Sequence, residues 1–248
     1  MKKRFLFIIV AFVLVSLACF PGAVKTYSEP KDYHIIYDNV ENANKTFIKD
    51  GKKETLLGWG AYEYCSYMLL FPKEQPENIK EFEYYWMQLI DYDDYSIYFT
   101  YELTDDEFKE FEYELSQFTL SYGQQTNKLY YVEDCFDYPA YIATWSLLDE
   151  DEVGGLFEYI LLDEANNTVI NVYSFRSSII DLQEKADYNI LPKNNDFSAV
   201  DELLKDEPTR FGGKCTHLTA YAFYDESGKV FVPPLEDIEY DRYFVDFS

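Results

Sequence analysis

Residues 95–118 read YSIYFTYELTDDEFKEFEYELSQF, and this stretch joins a clear strand pattern to a clear helix pattern. In its first nine residues, large apolar or aromatic side chains occupy positions 95, 97, 99, 101 and 103. A period of two places these side chains on one face of a β-strand. The spacing therefore predicts a strand from Tyr95 to Leu103.

The next four residues, Thr104-Asp105-Asp106-Glu107, predict the start of a helix. They form a capping box, in which Thr104 accepts from the third helical amide and the Glu107 carboxylate reaches back to the cap. Acidic residues in the first turn also interact favourably with the helix dipole. Apolar side chains then recur at helical spacing and form one stripe, which we expect to pack on a sheet: Phe108, Phe111, Leu115 and Phe118. Gly123 is expected to end this segment.

Strand patterns extend outward in both directions from this unit. They cover residues 34–37, 46–48, 129–132, 140–147, 157–162 and 168–175, and a final hairpin combines 218–224 with 229–232. Residues 163–167 form an Asn-containing hairpin connection between two of these strands. Residues 81–90 fit both a strand and a helix, and their aromatic side chains favour the strand. Short helices are predicted at 178–186 and 197–205. The predicted fold class is α+β, an antiparallel β-sheet packed by one main amphipathic helix, plus short helices.

Three stretches of this region carry a resemblance: Tyr95 to Phe118, Tyr138-Pro139-Ala140-Tyr141, and Phe157 to Glu164. Together they resemble uncharacterised exported proteins of Gram-positive bacteria. The resemblance covers about a third of the chain, and its motifs are structural. It implies a fold and a location outside the cytoplasm, and it implies no activity.

The N-terminus has the pattern of an export signal. Met1-Lys2-Lys3-Arg4 is a cationic head, and an apolar run extends from Phe5 to Phe20. We expect residues 1–19 to be an export signal or anchor and residues 20–32 to be a tether. Residues 33–248 would then form a single extracytoplasmic α+β domain, and the chain would meet the membrane through its N-terminus only.

Three outcomes are open at Cys19. The stretch Val15-Ser16-Leu17-Ala18-Cys19 resembles the lipobox of bacterial lipoproteins, although Ser16 stands where that motif favours Leu. The resemblance implies that Cys19 is lipidated and becomes the new N-terminus, which would make the protein a membrane-anchored lipoprotein. Cleavage after Ala18 or Ala23 would instead release a secreted protein, and an uncleaved signal would remain as an anchor.

The charge of the chain restricts its partners. The formal net charge is −25, which excludes nucleic-acid binding through phosphate neutralisation, because that needs Lys and Arg. Solubility explains such a charge most simply. A basic partner or a cation is the alternative explanation.

The cysteines and histidines do not form a recognisable site in the sequence. Once Cys19 is lipidated or removed, Cys65, Cys135 and Cys215 allow one disulfide at most, and their spacing matches no zinc motif. His217 follows Cys215 by two residues, but a nucleophilic Cys–His pair usually comes from distant parts of a chain. A structural or disulfide-bonded role of Cys215 is therefore preferred, and His34 and His217 are expected to lie apart.

Other motifs of binding or catalysis are weak. The acidic stretch from Asp149 fails as an EF-hand, because its fifth and twelfth positions hold Val153 and Ile160. Asp91-Tyr92-Asp93-Asp94 is more simply a solvated turn than a calcium site. Trp59, Trp86 or Trp145 would suit sugar stacking if exposed, but core packing is the commoner role. The chain contains no nucleophile elbow, phosphate loop or dinucleotide fingerprint, and no cofactor is predicted.

These patterns predict a binding or interaction domain with an unknown protein or polymer partner outside the cytoplasm. An extracytoplasmic hydrolase of cell-wall or sugar polymers is one alternative. An accessory subunit of an envelope complex is the other.

Overall fold

In the computed structural model, the described residues are 33–37, 46–49, 52–55, 69–70, 76, 78–88, 93–149, 152–176, 178–207, 210–211, 216–234 and 237–240. The strands within these ranges are β1 (Tyr33–Tyr37), β2 (Thr46–Lys49), β3 (Lys52–Thr55), β4 (Ile79–Gln88), β5 (Asp93–Glu102), β6 (Thr119–Tyr122), β7 (Gln125–Lys128), β8 (Tyr130–Val132), β9 (Ala140–Asp149), β10 (Glu152–Asp163), β11 (Thr168–Arg176), β12 (Arg210–Phe211), β13 (Thr216–Thr219), β14 (Phe223–Tyr224), β15 (Val230–Phe231) and β16 (Glu239–Tyr240). The α-helices are α1 (Asp105–Gln117), α2 (Ser178–Gln183) and α3 (Phe197–Leu203), and a short 3₁₀ helix spans Lys193–Asn195.

A large antiparallel sheet organises the described part of the chain. Its strand order is β1-β4-β5-β11-β10-β9-β13-β12, and β8 pairs with β9 beside β13. The β10–β11 hairpin turns at Asn167, whose φ of 50° fits the left-handed conformation that Asn tolerates. The predicted α+β class with an antiparallel sheet is therefore confirmed, and β4 takes the strand alternative of its two possible periods.

Both faces of this sheet are buried. Along β5, Ile97, Phe99 and Tyr101 point to one face while Ser96, Tyr98 and Thr100 point to the other, and all six are at most 3% exposed. Strand pairing places Glu158 and Asn171 on the side of Ile97, which we call the polar face. It places Trp145, Phe157 and Tyr159 on the opposite side, which we call the aromatic face.

Aromatic rings in contact with one another cover the aromatic face. The Trp145 ring contacts the ring of Phe157, its neighbour on β10, at a centroid distance of 4.7 Å. It also contacts the rings of Phe136 and Phe197, which lie outside the strands, at 6.0 and 5.8 Å. The Tyr159 hydroxyl donates to the carbonyl oxygen of Ile190 at 2.6 Å, which holds the segment after α2 on this face. Helix α2 itself lies against β4, β5 and β11.

Helix α1 begins as the sequence predicts. The Glu107 amide donates to Oγ1 of Thr104 at 3.4 Å, and the Thr104 amide donates to Oε2 of Glu107 at 2.8 Å, so the capping box is confirmed. Phe108, Phe111 and Leu115 are buried. The Phe111 ring meets the Tyr101 ring edge-on, which brings α1 over the end of the polar face.

Two predictions about chain turns are wrong. Gly123 does not end a helical segment, because α1 stops at Gln117 and Gly123 forms the turn of the β6–β7 hairpin with φ of 61°. The predicted strand 218–224 is broken at Ala220 and Tyr221. Its first part, β13, pairs with β9, and only β14 pairs with β15.

Candidate functional site

Glu158 is an acidic residue that is buried within the large sheet. It lies near the centre of β10, is 2% exposed, and faces Thr144 on β9 and Tyr173 on β11. The register shifts between Glu158 and Tyr159, which leaves Ala143 of β9 as an extra residue beside the carboxyl group. Bulges of this kind re-aim side chains and are common next to functional sites.

Burial changes the charge state of Glu158. Desolvation raises its pKa to about 8, although the backbone N–H groups of Leu70 and Leu69 partly oppose the shift. The Leu70 amide donates to Oε1 at 2.7 Å. Because this pKa lies above neutrality, the carboxyl group is mostly protonated at pH 7 and carries no charge on the polar face.

The surroundings of Glu158 are polar, and none of the described groups that act on its carboxyl is a cation. Asn171 is 5% exposed, and its side chain lies beside the Tyr101 hydroxyl, whose pKa is raised by burial and lowered in part by this contact. Nearby, Oγ1 of Thr144 donates to the Tyr221 hydroxyl at 2.8 Å. The groups that act on the Glu158 carboxyl are the two backbone amides and the apolar walls. The arrangement therefore stabilises a neutral acid, not an ion pair.

A second carboxyl group with a shifted pKa lies at the other side of the sheet. The Tyr98 hydroxyl donates to Oε2 of Glu81, and the Asp187 carboxyl group also hydrogen-bonds with Glu81. Burial is the main cause that raises the pKa of Glu81, and Asp187 adds to it. The pKa of Tyr98 is raised for the same reasons, burial first and the Glu81 carboxylate second. The contact with Asp187 therefore favours the protonated form of Glu81.

A third candidate functional site lies at the surface, around Tyr131 of β8. Tyr131 is 49% exposed, and its ring contacts the Tyr141 ring of β9 at 5.0 Å. Burial and four carboxylates raise its pKa: Glu133, Glu112, Glu164 and Asp134. These acids come from α1, from the end of β8 and from the β10–β11 turn, so four elements meet here when β9 with Tyr141 is included. We call Tyr131, Tyr141 and the four acids the Tyr131 surface.

The structure describes one of the four cysteines that were considered in the sequence. Cys19, Cys65 and Cys215 lie outside the described residues, as do residues 1–32 with the predicted signal and tether. Cys135 is a free, half-buried thiol, and burial, with Asp134 and Asp196, raises its pKa. A raised pKa disfavours the thiolate, so Cys135 lacks the usual activation of a nucleophile.

The two histidines lie on different strands of the large sheet. His34 is in β1 and His217 is in β13, with five strands between them. At about 4.8 Å per strand this separates their backbones by roughly 30 Å. A site that uses both histidines is therefore excluded.

The remaining candidates divide between core residues and undescribed positions. Trp145 is fully buried, so it belongs to the core and not to a sugar-binding surface. Trp59 lies outside the described residues, and so do Asp91, Tyr92, Glu150 and Asp151 of the acidic turns. Within the described ranges, no three side chains of His, Cys, Asp or Glu are grouped to hold a metal ion. No helix of these ranges is long and apolar enough to span a bilayer.

Neither Glu158 nor Asn171 belongs to a motif. The sequence indicates the buried acid only through the run Leu156-Phe157-Glu158-Tyr159-Ile160, in which one acid interrupts an apolar and aromatic strand. Such a run indicates a strand buried on both faces, and a buried acid has an abnormal pKa. This run identifies Glu158, but it does not show which residues of other strands lie beside it.

Comparison with known proteins adds no family to this description: no protein-family model, no curated protein and no solved structure matches the chain.

Proposed function

We propose that this chain is an exported interaction domain, anchored at the membrane by its N-terminus, whose Tyr131 surface binds a cationic partner outside the cytoplasm. In this proposal residues 33–248 form the extracytoplasmic domain, and α1 is the main amphipathic helix that supports the surface. The partner is a protein or polymer segment rich in Lys, Arg or other amines. The N-terminal signal pattern supports the location.

The Tyr131 surface is the observation that carries the proposal. The charged groups that act on the half-exposed Tyr131 are all carboxylates within the described residues. An electronegative surface with an accessible aromatic ring attracts cations by charge and by cation–π contact. Tyrosines are also enriched at the energetic centres of protein interfaces.

A defined cationic probe tests the surface. We expect fluorescein-labelled octa-arginine to bind the full chain, as measured by fluorescence anisotropy. The double variant Glu112→Gln/Glu133→Gln should raise the Kd about fivefold, since an exposed charge pair contributes up to about 1 kcal/mol. Tyr131→Ala should raise it further through the lost cation–π contact.

A matched control separates local binding from general attraction by the acidic chain. Asp206→Asn/Glu226→Gln removes the same number of charges at exposed positions that do not act on Tyr131. This control should change the Kd less than about twofold. Equal weakening by both double variants would show that the net charge binds the probe, and the Tyr131 surface would lose its assigned role.

The anchor is tested separately at Cys19. If a lipid is attached there, Cys19→Ser should move the protein from the membrane fraction to the medium or leave it unprocessed. Normal processing with an unchanged membrane fraction would contradict the lipoprotein assignment.

A hydrolase is the second candidate, and the contact between Glu81 and Asp187 favours it. Hydrogen-bonded carboxyl groups are closer than the roughly 5–9.5 Å that separates the acids of glycosidases. The contact fits the paired carboxyl groups of aspartic proteases better than it fits sugar hydrolysis. A hydrolase of this kind would cleave casein at acidic pH, and Glu81→Gln would abolish the cleavage.

An accessory subunit of an envelope complex would use the same Tyr131 surface. The cationic partner would then be a neighbouring subunit.

A further inference from the structure

A small cavity lies on the polar face between β5, β10 and β11. Its volume is about 10 Å³, and Glu158 and Asn171 line it together with apolar and aromatic side chains: Leu70, Ile97, Phe99 and Tyr173. A space of this size accommodates about one water molecule.

Two buried polar atoms of the lining have no partner with hydrogen-bond geometry among the residues that the structure describes. They are Oε2 of Glu158 and Nδ2 of Asn171, on side chains that are 2% and 5% exposed. The contact of Asn171 with the Tyr101 hydroxyl engages at most one of the two N–H groups of Nδ2 and leaves the other for the cavity. The other carboxyl oxygen, Oε1, accepts from the Leu70 amide. Since an unpaired buried polar group destabilises a fold, a partner in the cavity would stabilise this one.

The strand register explains why the Glu158 carboxyl group and the Asn171 amide need a bridging molecule between them. Glu158 is opposite Tyr173 and Asn171 is opposite Ile160, so Glu158 and Asn171 are diagonal neighbours on one face. Diagonal neighbours in an antiparallel pair are roughly 7–8 Å apart, which suits two hydrogen bonds in series. A single water oxygen spans such a gap when both groups point to it.

We propose that this cavity binds one water molecule, which joins the Glu158 carboxyl group to the Asn171 amide. The protonated Oε2 of Glu158 and Nδ2 of Asn171 each donate to one lone pair of the water oxygen. The water thereby satisfies both unpaired groups without introducing a charge. It is a binding site on the polar face, and it does not depend on the Tyr131 surface.

Solution NMR of the full chain tests this site. In ¹⁵N-labelled protein, the Asn171 side-chain amide should show a cross-peak to a water that stays bound for longer than nanoseconds. Glu158→Gln keeps a donor at the position of Oε2 and should retain the cross-peak. Glu158→Leu removes that donor and should abolish it.

Thr100→Val is the matched control. The Thr100 hydroxyl is also buried and has no partner within the described ranges, but it lies on the aromatic face. This variant should retain the Asn171 cross-peak.

A wild-type protein without the cross-peak, or a cross-peak that persists in folded Glu158→Leu, would overturn the proposal. If Glu158→Leu does not fold, a high-resolution crystal structure of the wild type decides. One ordered water within hydrogen-bond distance of both atoms supports the site, and a dry cavity or a direct Glu158–Asn171 contact refutes it.

Discussion

The two faces of the large sheet come from the same strands but are closed by different chemistry. The aromatic face is closed by rings, with Phe136 and Phe197 packed on Trp145. The polar face is closed near its centre by Leu69 and Leu70, whose backbone amides contact the buried Glu158. Ring packing does not depend on protons, whereas a buried carboxyl group does. We therefore expect both faces to contribute to stability, and Glu158 to make the contribution of the polar face depend on pH.

The largest expected effect is the loss of packing on either face. Trp145→Ala should lower the free energy of unfolding by about 3–5 kcal/mol, as large aromatic truncations in cores do. Phe111→Ala, at the α1 contact over the polar face, should cost a similar amount because Phe111 is 1% exposed. Urea denaturation at pH 6 measures both. A loss below about 1 kcal/mol at either residue would show that its face is not held by packing.

A smaller effect, specific to the polar face, should appear when the pH is changed. The pKa of Glu158 rises from 4.5 to about 8 on folding, so between these values the native state keeps a proton that the unfolded chain releases. Stability should therefore fall as the pH rises through this window, by up to about 1.4 kcal/mol per unit. Glu158→Gln removes this titration. It should match the wild type near pH 4.5 and exceed it by about 2–4 kcal/mol at pH 8.

The difference between wild type and Glu158→Gln isolates this group from the other carboxylates. Trp145→Phe on the aromatic face is the control, and its stability should follow the pH dependence of the wild type. Parallel curves for Glu158→Gln and the wild type would mean that Glu158 does not retain its proton on folding in this pH range.

The smallest effect is expected outside both faces, at the exposed start of α1. Thr104→Ala removes the side chain that accepts from the Glu107 amide and should cost about 1 kcal/mol. Thr104→Ser keeps a hydroxyl and should cost less. A loss as large as that of Phe111→Ala would assign Thr104 a role beyond capping.

The elements that the sequence predicts well are those specified by near neighbours. Thr104 and Glu107 are three residues apart, and the turn at Asn167 is part of its own hairpin, so local patterns suffice for both. The break at Ala220 is different, because β13 leaves its predicted partner to pair with β9, about 70 residues away. Local propensity cannot show which distant strand offers a free edge.

The same reasoning explains what could be predicted of the candidate sites. The strand that carries Glu158 is evident from its apolar run, but the cavity also needs Leu70, which is 88 residues away in the chain. The Tyr131 surface similarly combines acids from α1, β8 and a later turn. The acidity of the chain is apparent from its composition, but the position of Tyr131 among these acids depends on the fold.

The pairing of β5 with β11 has a consequence for the kinetics of folding. Strands β4 and β5 are adjacent in the chain, and β9, β10 and β11 also follow one another, so each group can pair through short connections. The β5–β11 pairing joins the two groups across the whole of the intervening chain. Long-range pairing must await closure of that loop, which slows folding. We therefore expect the rate-limiting barrier to lie at the β5–β11 pairing, where both faces of the sheet become continuous.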